Sequence, residues 1–338
     1  MPTQGEITPI PSTGLRQPDG KLLPVLLPIA EQLRQAKAVV FFDLDKTALD
    51  DRYNPINLEG ITRVISSLQN KGVIIGIHSD TPRQSLLQFA KIFGVKGPLI
   101  YELAGIHFQE QDLDIVLDVR AMEFFRGFRN RFFEEALKRF PDSADLKNFI
   151  SKTIDRNKEK REGVRYPGYD RGLFINPYRL LSFGLWAEGV TKATGETYIN
   201  PEFHQRVDAL AKELLMAELG YSDEGEFRRD YDYDFSPEYG VTIVKKRVLS
   251  SKTPPIQHLL TLVEGYQKPI IMIGDSGADF IDDPRVITFG VANSKPELKE
   301  KLQEVTTALP FGLKTNLASK TYTDGLIELL SVIDQVVN

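Results

Sequence analysis

Four short apolar runs limit what this chain can fold into. They read AVVFFD at 38–43, GVIIGIHSD at 72–80, KPIIMIGDSGADF at 268–280 and VITFGVAN at 286–293. None alternates apolar with polar residues, so each suits a strand covered on both faces, as in a parallel sheet. Helical patterns lie between and after them. From Asn57 to Asn70, Leu58, Ile61, Val64, Ile65 and Leu68 recur at helical spacing. Pro82 can open a helix in its first turn, continued by RQSLLQFAKIF to Gly94. TDGLIELLSVI adds a last helix, and GPLIYELAGIHFQ predicts two short strands around Ala104 and Gly105. Strand–helix alternation at both ends of the chain predicts an α/β fold with a doubly wound parallel sheet.

The middle has a different texture. Roughly 140 residues, from Gln109 to Ser250, hold charged helices (AMEFFRGFRNRFFEEALKRF, PEFHQRVDALAKELLMAELG) and aromatic strand-like pieces (LFINPYRLLSFGLWAE, EYGVTIVKKRV). They predict a separate α+β module inserted into the core. Its aromatic residues are read as packing. The 338 residues suffice for one large domain or two ordinary ones.

Composition removes several functional classes. A net charge of −5 at pH 7 disfavours a nucleic-acid binder. With no cysteine there is no disulfide, thiolate metal site or cysteine nucleophile, which suits a cytoplasmic enzyme. No stretch approaches the roughly 18 apolar residues of a membrane span. The opening MPTQGEITPIPSTGLRQPDG lacks the basic start and apolar centre of a signal peptide and reads as an irregular or mobile arm. LLPVLLPIAEQLRQA, next, predicts a short helix packed on the main domain.

Three of the predicted strands end in polar groups. The first ends in Asp43 and Asp45, the second in Ser79, Asp80 and Thr81, and a later one in Asp275 and Asp279. Ligands of open α/β sheets bind beyond the carboxyl ends of strands, so neighbouring strands would gather these groups. Two carboxylates 4 Å apart repel by about 4 kcal/mol at an effective dielectric near 20. Such a cluster needs protons or a cation, and oxygen-only ligands point to Mg²⁺. Asp43 can then act as a nucleophile and Asp45 as general acid and base. Ser79 and a lysine, Lys252 in SSKTPPIQHLL, can hold the oxygens of a phosphoryl group. A D-x-D-x-T alone arises by chance in roughly one such chain in twenty. The buried strand before it and the second acidic strand end, GDSGAD, make the combination specific. Helix N-capping would explain one acid per strand end, but not two.

On these residues the chain resembles the haloacid dehalogenase superfamily of phosphotransferases. Asp43, Asp45 and Thr47 match its first motif, Ser79 its second, a lysine its third, and Asp275 with Asp279 its fourth. The resemblance implies an aspartyl-phosphate on Asp43, with Asp45 as acid and base. It implies Mg²⁺ held by Asp43, the backbone carbonyl of Asp45 and Asp275, with Asp279 and Thr47 behind them. It spans about 38–108 and 252–338. An insertion after the third core strand, LIYELAGIHF, resembles the C2-capped branch, which contains phosphatases of sugar phosphates as well as phosphomannomutases. The implied layout is an arm at 1–37, a catalytic core at 38–109 and 251–338, and a cap at 110–250. Lys46 stands where that family commonly has glycine, and Leu103 and Ala104 replace an asparagine and a glycine.

The expectation is therefore a Mg²⁺-dependent phosphatase of a small phosphorylated metabolite, foremost a sugar phosphate. The insert would close over the substrate and read its non-phosphate part. The alternatives are a phosphomutase on the same core, or a non-catalytic binding module, against which both intact aspartates weigh. His78 should point away from Ser79 into the core, because side chains alternate along a strand. His107, His204 and His258 are not spaced as metal ligands. Arg83 is read as helix surface, and Lys245 and Lys246 as a solvated pair.

Overall fold

The computed structural model describes residues 9–51, 53–140, 172–175, 178–190, 197–199, 201–237, 240–263, 265–304 and 315–337. It divides into two compact units. One runs to Leu117 and resumes at Ser251, and the other is Asp118–Ser250.

The first unit is built on an eight-stranded sheet. Its strands are β1 (Ile10–Pro11), β2 (Ala38–Phe42), β3 (Val73–His78), β4 (Leu99–Tyr101), β5 (Gly105–Phe108), β6 (Leu113–Val116), β12 (Ile270–Gly274) and β13 (Val286–Gly290). Their order is β1-β6-β5-β4-β3-β2-β12-β13. From β4 to β13 all pairings are parallel, while β4-β5 and β5-β6 are antiparallel. The four apolar runs are β2, β3, β12 and β13, which are almost wholly buried. β2 is central, with β3 on one side and β12 on the other. The chain reverses its winding direction there, so the crevice at the carboxyl end of β2 is where a ligand belongs. Gly76 lets β3 sit close to its neighbours, since a Cβ there would fall on the Pro98 carbonyl and the Phe41 ring.

Helices cover the sheet with the faces that periodicity assigns, except that Leu58, at the first turn of its helix, is exposed. Leu58–Asn70 buries Ile61, Val64, Ile65 and Leu68, and its N-cap Asn57 accepts a hydrogen bond from Gly60 N–H. Arg83–Phe93 buries Leu86, Phe89, Ala90 and Phe93 and stops at Gly94, whose φ of 74° glycine adopts without strain. The helix Tyr322–Val336 packs beside Leu58–Asn70, and Asp334 there accepts from Ser67.

Four findings differ from the sequence reading. The arm is irregular but packed. Pro11 and Ile10 pair with β6, and Leu15 joins one apolar cluster with Val39, Phe41 and Met272; Leu22, Leu26 and the helix Leu27–Gln35 pack in the same cluster, as LLPVLLPIAEQLRQA predicts. Each such leucine contributes about 1.5–3 kcal/mol by burial. The arm's first eight residues lie outside the described residues. Second, the boundary of the insert falls after Leu117 rather than Gln109, because β6 pairs with β5 within the core sheet. Third, Glu102 and Leu103 take φ of 48° and 59° in the three-residue β4–β5 turn, Glu102 to Ala104. Asparagine and glycine adopt that left-handed geometry readily, and Leu103 holds it under strain.

Arg83 gives the fourth. It is not free helix surface. Its Nε donates to Asp114 at 3.0 Å, and its Nη2 lies 3.1 Å from His107 Nδ1 and 3.3 Å from Asp112. Burial raises the Asp114 carboxyl, but the His107 hydrogen bond and the Arg83 charge outweigh it and hold the group below its ordinary value. A depressed carboxylate adds stability above its unfolded pKa, near 4, that is lost as pH falls through the folded value. Arg83→Met should therefore cost about 3 kcal/mol at pH 7, in the range for a broken buried pair. Urea titrations of both proteins should show the gap narrowing below about pH 4.

The second unit carries an antiparallel sheet in the order β10-β11-β8-β7, with β9 paired to β8. These strands are Tyr231–Ser236, Val241–Lys246, Ser182–Val190, Gly172–Ile175 and Thr197–Ile199. Phe128 and Phe132, on the helix Val119–Arg139, are packing and meet Phe183 edge-on at 5.0 and 5.1 Å. Lys246 pairs with Asp118 at 2.6 Å. Across the sheet, His204 Nε2 lies 2.9 Å from Thr242 Oγ1, which donates to Asp208, as does the Tyr233 hydroxyl. Among the described residues no helix is long and apolar enough to cross a membrane.

Candidate active site

Three strand ends meet at one crest of the first unit. β2 hands on to Asp43, whose N–H donates to Ile273 on β12 at 2.9 Å. A single tight turn, Leu44–Ala48, follows. Leu44, Thr47 and Ala48 are buried under it, while Asp45 and Lys46 are exposed on it. Asp45 therefore faces solvent two residues beyond a carboxylate that is only 7% exposed.

β12 ends at Gly274, and the next five residues form a second acidic turn. Asp279 is fully buried, and its Oδ2 accepts from the backbone N–H groups of Asp275 and Ser276 and from the Ser276 hydroxyl, at 2.8–3.0 Å. A Cβ on residue 274 would fall on this carboxylate, so the glycine is what lets Asp279 fold back under the turn. The other oxygen of Asp279 binds the ammonium of Lys252.

Lys252 immediately precedes the helix Thr253–Thr261, whose start is set by Pro254 and Pro255 in its first turn. The side chain is 5% exposed. Its Nζ lies 2.8 Å from Asp43 Oδ1 and also meets Asp279. Burial opposes the charge on Lys252, but Asp279 and Asp43 outweigh it and the pKa rises, so the ammonium persists. Lys252 is thus fixed between the two acids.

The charges do not balance. Asp43, Asp275 and Asp279 can bring one oxygen each within 4.8 Å of one another. One ammonium faces these three carboxylates. Burial pushes Asp43 well above the ordinary carboxylate range; Lys252 pulls it down, and Asp279 and Asp45 push it up. Burial likewise lifts Asp275 to about 6, helped by Asp279 and opposed by Lys252, Lys295 and Lys46. A cation among these oxygens would remove the excess. Asp279 already serves Lys252 and three donors, so Asp43 and Asp275 are the carboxylates with oxygens to offer. Hard oxygen donors of this kind fit Mg²⁺.

The remaining candidates fall around this cluster. Ser79 ends β3, beside β2; its N–H donates to Ile100 at 3.0 Å and its hydroxyl lies 3.0 Å from that of Thr81. Thr47 is fully buried, and its hydroxyl has no hydrogen-bond partner. His78 lies edge-on to Phe41 at 6.3 Å. Burial and the Lys252 charge keep its pKa well below the usual histidine value, so it is a neutral core residue. Ser276, Gly274 and Asn293 were not singled out by sequence. Asn293 donates to the Lys46 carbonyl at 2.7 Å and accepts from Tyr322 N–H at 2.8 Å, tying the Asp45 turn to the last helix.

No protein-family profile matches the chain, and no curated protein matches its sequence. Solved structures do match its fold. A protein from Thermotoga maritima is 19% identical, with a TM-score of 0.52, over 87% of this chain and 96% of its own. A haloacid dehalogenase-like hydrolase from Bacteroides thetaiotaomicron is 12% identical, with a TM-score of 0.51, over 88% and 99%. A protein from Thermoplasma acidophilum is 16% identical, with a TM-score of 0.50, over 88% and 98%. The chain has the haloacid dehalogenase-like fold: a parallel, doubly wound core with an inserted second unit.

Proposed function

We propose that this chain, on its haloacid dehalogenase-like fold, is a Mg²⁺-dependent phosphatase of a small phosphorylated metabolite. The observation that carries the reading is the Lys252 ammonium between buried Asp43 and Asp279, at the crest where three strands end. Such a group can hold the oxygens of a phosphoryl group while leaving a carboxylate to attack its phosphorus.

In the first step an Asp43 oxygen attacks phosphorus and the bond to the ester oxygen breaks. Asp45, exposed on its turn, gives a proton to the departing alkoxide. The phosphoryl group is then an acyl phosphate on Asp43. In the second step Asp45 takes a proton from water, the hydroxide attacks phosphorus, and the bond to Asp43 breaks. Phosphate leaves and both aspartates return to their starting states. Lys252 and Ser79 hold the non-bridging oxygens throughout. Asp279 keeps Lys252 in place and does not meet substrate. The carboxylates of Asp43 and Asp275, with the Asp45 carbonyl, would hold Mg²⁺. Bound there, the ion neutralises the excess negative charge and polarises a phosphoryl oxygen.

We assign selectivity for the non-phosphate part to residues 118–250, and sugar phosphates are the first substrate class to test. A phosphate-release screen over phosphorylated metabolites, with Mg²⁺ and with EDTA, tests the reading. Turnover of at least one ester should appear with Mg²⁺, fall at least about a hundredfold in EDTA, and return when Mg²⁺ is restored. Full turnover in chelator would exclude the metal assignment, and no turnover of any ester would exclude the phosphatase.

A further inference from the structure

The turn that carries Asp45 also carries a lysine in an unfavourable place. Lys46 has φ of 59°, a conformation that glycine adopts freely and lysine does not. It is held there by the Asn293 hydrogen bond to its carbonyl. Tyr322, on the far side of Asn293, also has a positive φ, 49°, and its hydroxyl bonds to Asp51 at 2.7 Å. Strain kept by surrounding contacts near a reactive centre calls for a functional reason.

The side chain supplies one. The Lys46 ammonium is 54% exposed and lies 3.9 Å from Asp51, which is itself 65% exposed. That separation is too long for a hydrogen bond, and a solvated pair of this kind binds weakly. The field of Lys46 still reaches Asp275, as does that of exposed Lys295, whose N–H donates to the Asp275 carbonyl at 2.6 Å. Two exposed lysines therefore flank the acids through the backbone, Lys46 next to Asp45 on its turn and Lys295 hydrogen-bonded to the Asp275 carbonyl. The reacting phosphoryl group is already served by buried Lys252, so these charges are surplus to it.

We propose that Lys46 and Lys295 bind a second anionic group of the substrate, making the preferred substrate a phosphate ester that also bears a carboxylate or another phosphate. This rests on the phosphatase reading above. The competing account is that both lysines only offset Asp43, Asp45, Asp50, Asp51 and Asp275; their removal would then affect all esters alike.

The test compares kcat/KM within matched pairs. 3-Phosphoglycerate against glycerol 3-phosphate isolates a carboxylate, and fructose 1,6-bisphosphate against fructose 6-phosphate isolates a phosphate. The wild type should favour the more anionic member of at least one pair by about tenfold, the range two solvated ion pairs supply. Lys46→Gly, which suits the turn, should cut that ratio about threefold to fivefold, mainly through KM. Lys46→Arg should restore it, and added salt should erode it in the wild type. Turnover without any preference in the wild type, or a ratio unmoved in Lys46→Gly and in Lys46→Gly/Lys295→Ala, would overturn the proposal alone. Absence of turnover for all four esters and for the metabolite panel would overturn the phosphatase reading and this proposal with it.

Discussion

Asp43→Asn should fold as well as the wild type and lose at least about 10⁴-fold in kcat, close to 5 kcal/mol of barrier. The amide keeps the shape of the carboxylate but cannot attack phosphorus. It also removes the carboxyl that burial first, and then Asp279 and Asp45, push above its ordinary pKa against the pull of Lys252. Lys252 keeps its contact with Asp279 in the variant, so no charge is left alone. Steady-state kinetics beside a urea titration would separate chemistry from folding. A variant that keeps more than about a tenth of the wild-type rate, a loss under 1.4 kcal/mol, would remove Asp43 from its role.

Lys252→Met has the second large effect, and it is on stability as well as rate. The substitution leaves Asp43 and fully buried Asp279 without their shared ammonium. Removing one partner from a buried ion pair costs about 3–5 kcal/mol, because the remaining charge is stranded. The measurement is urea unfolding in EDTA, so that no cation replaces the lysine. The rate should also fall about 10²–10³-fold, the scale for a lost donor to a developing charge. A stability change under about 1 kcal/mol would mean that the triad is looser than the 2.8 Å contact indicates.

Much of the site was legible because the core strands are buried on both faces. Such strands announce themselves as unbroken apolar runs, and polar residues at their ends have only the crest to occupy. The places of Asp43, Asp45, Ser79 and Asp275 at strand ends were legible in this way. Lys252 was placed only by its position before Thr253 and Pro254, since its approach to Asp43 depends on how the helix seats on the sheet. The work of Asp279 was not visible, because its partners Ser276, Gly274 and Lys252 matter through backbone geometry and not through a pattern. Arg83 was misplaced on open helix surface. Its partner Asp114 is 31 positions away, on a hairpin strand that periodicity cannot bring to it. The opening MPTQGEITPIPSTGLRQPDG was read from its prolines and glycines as loose, yet Leu15 is core and Ile10 and Pro11 pair with β6. Isolated apolar residues in irregular chain carry no period to read. The insert's boundary was missed by eight residues, 110–117, for the related reason that strand pairing is non-local.

The central claim is that the phosphoryl group passes through Asp43. It is tested most directly by mixing the Mg²⁺-loaded protein with its best ester, quenching in acid within a turnover, and mapping the phosphoryl group by peptide mass spectrometry. The account predicts one phosphoryl group on the peptide that contains Asp43, labile to mild alkali and absent in Asp43→Asn. Steady turnover with that peptide unmodified at every quench time, or with the group on another residue, would contradict it.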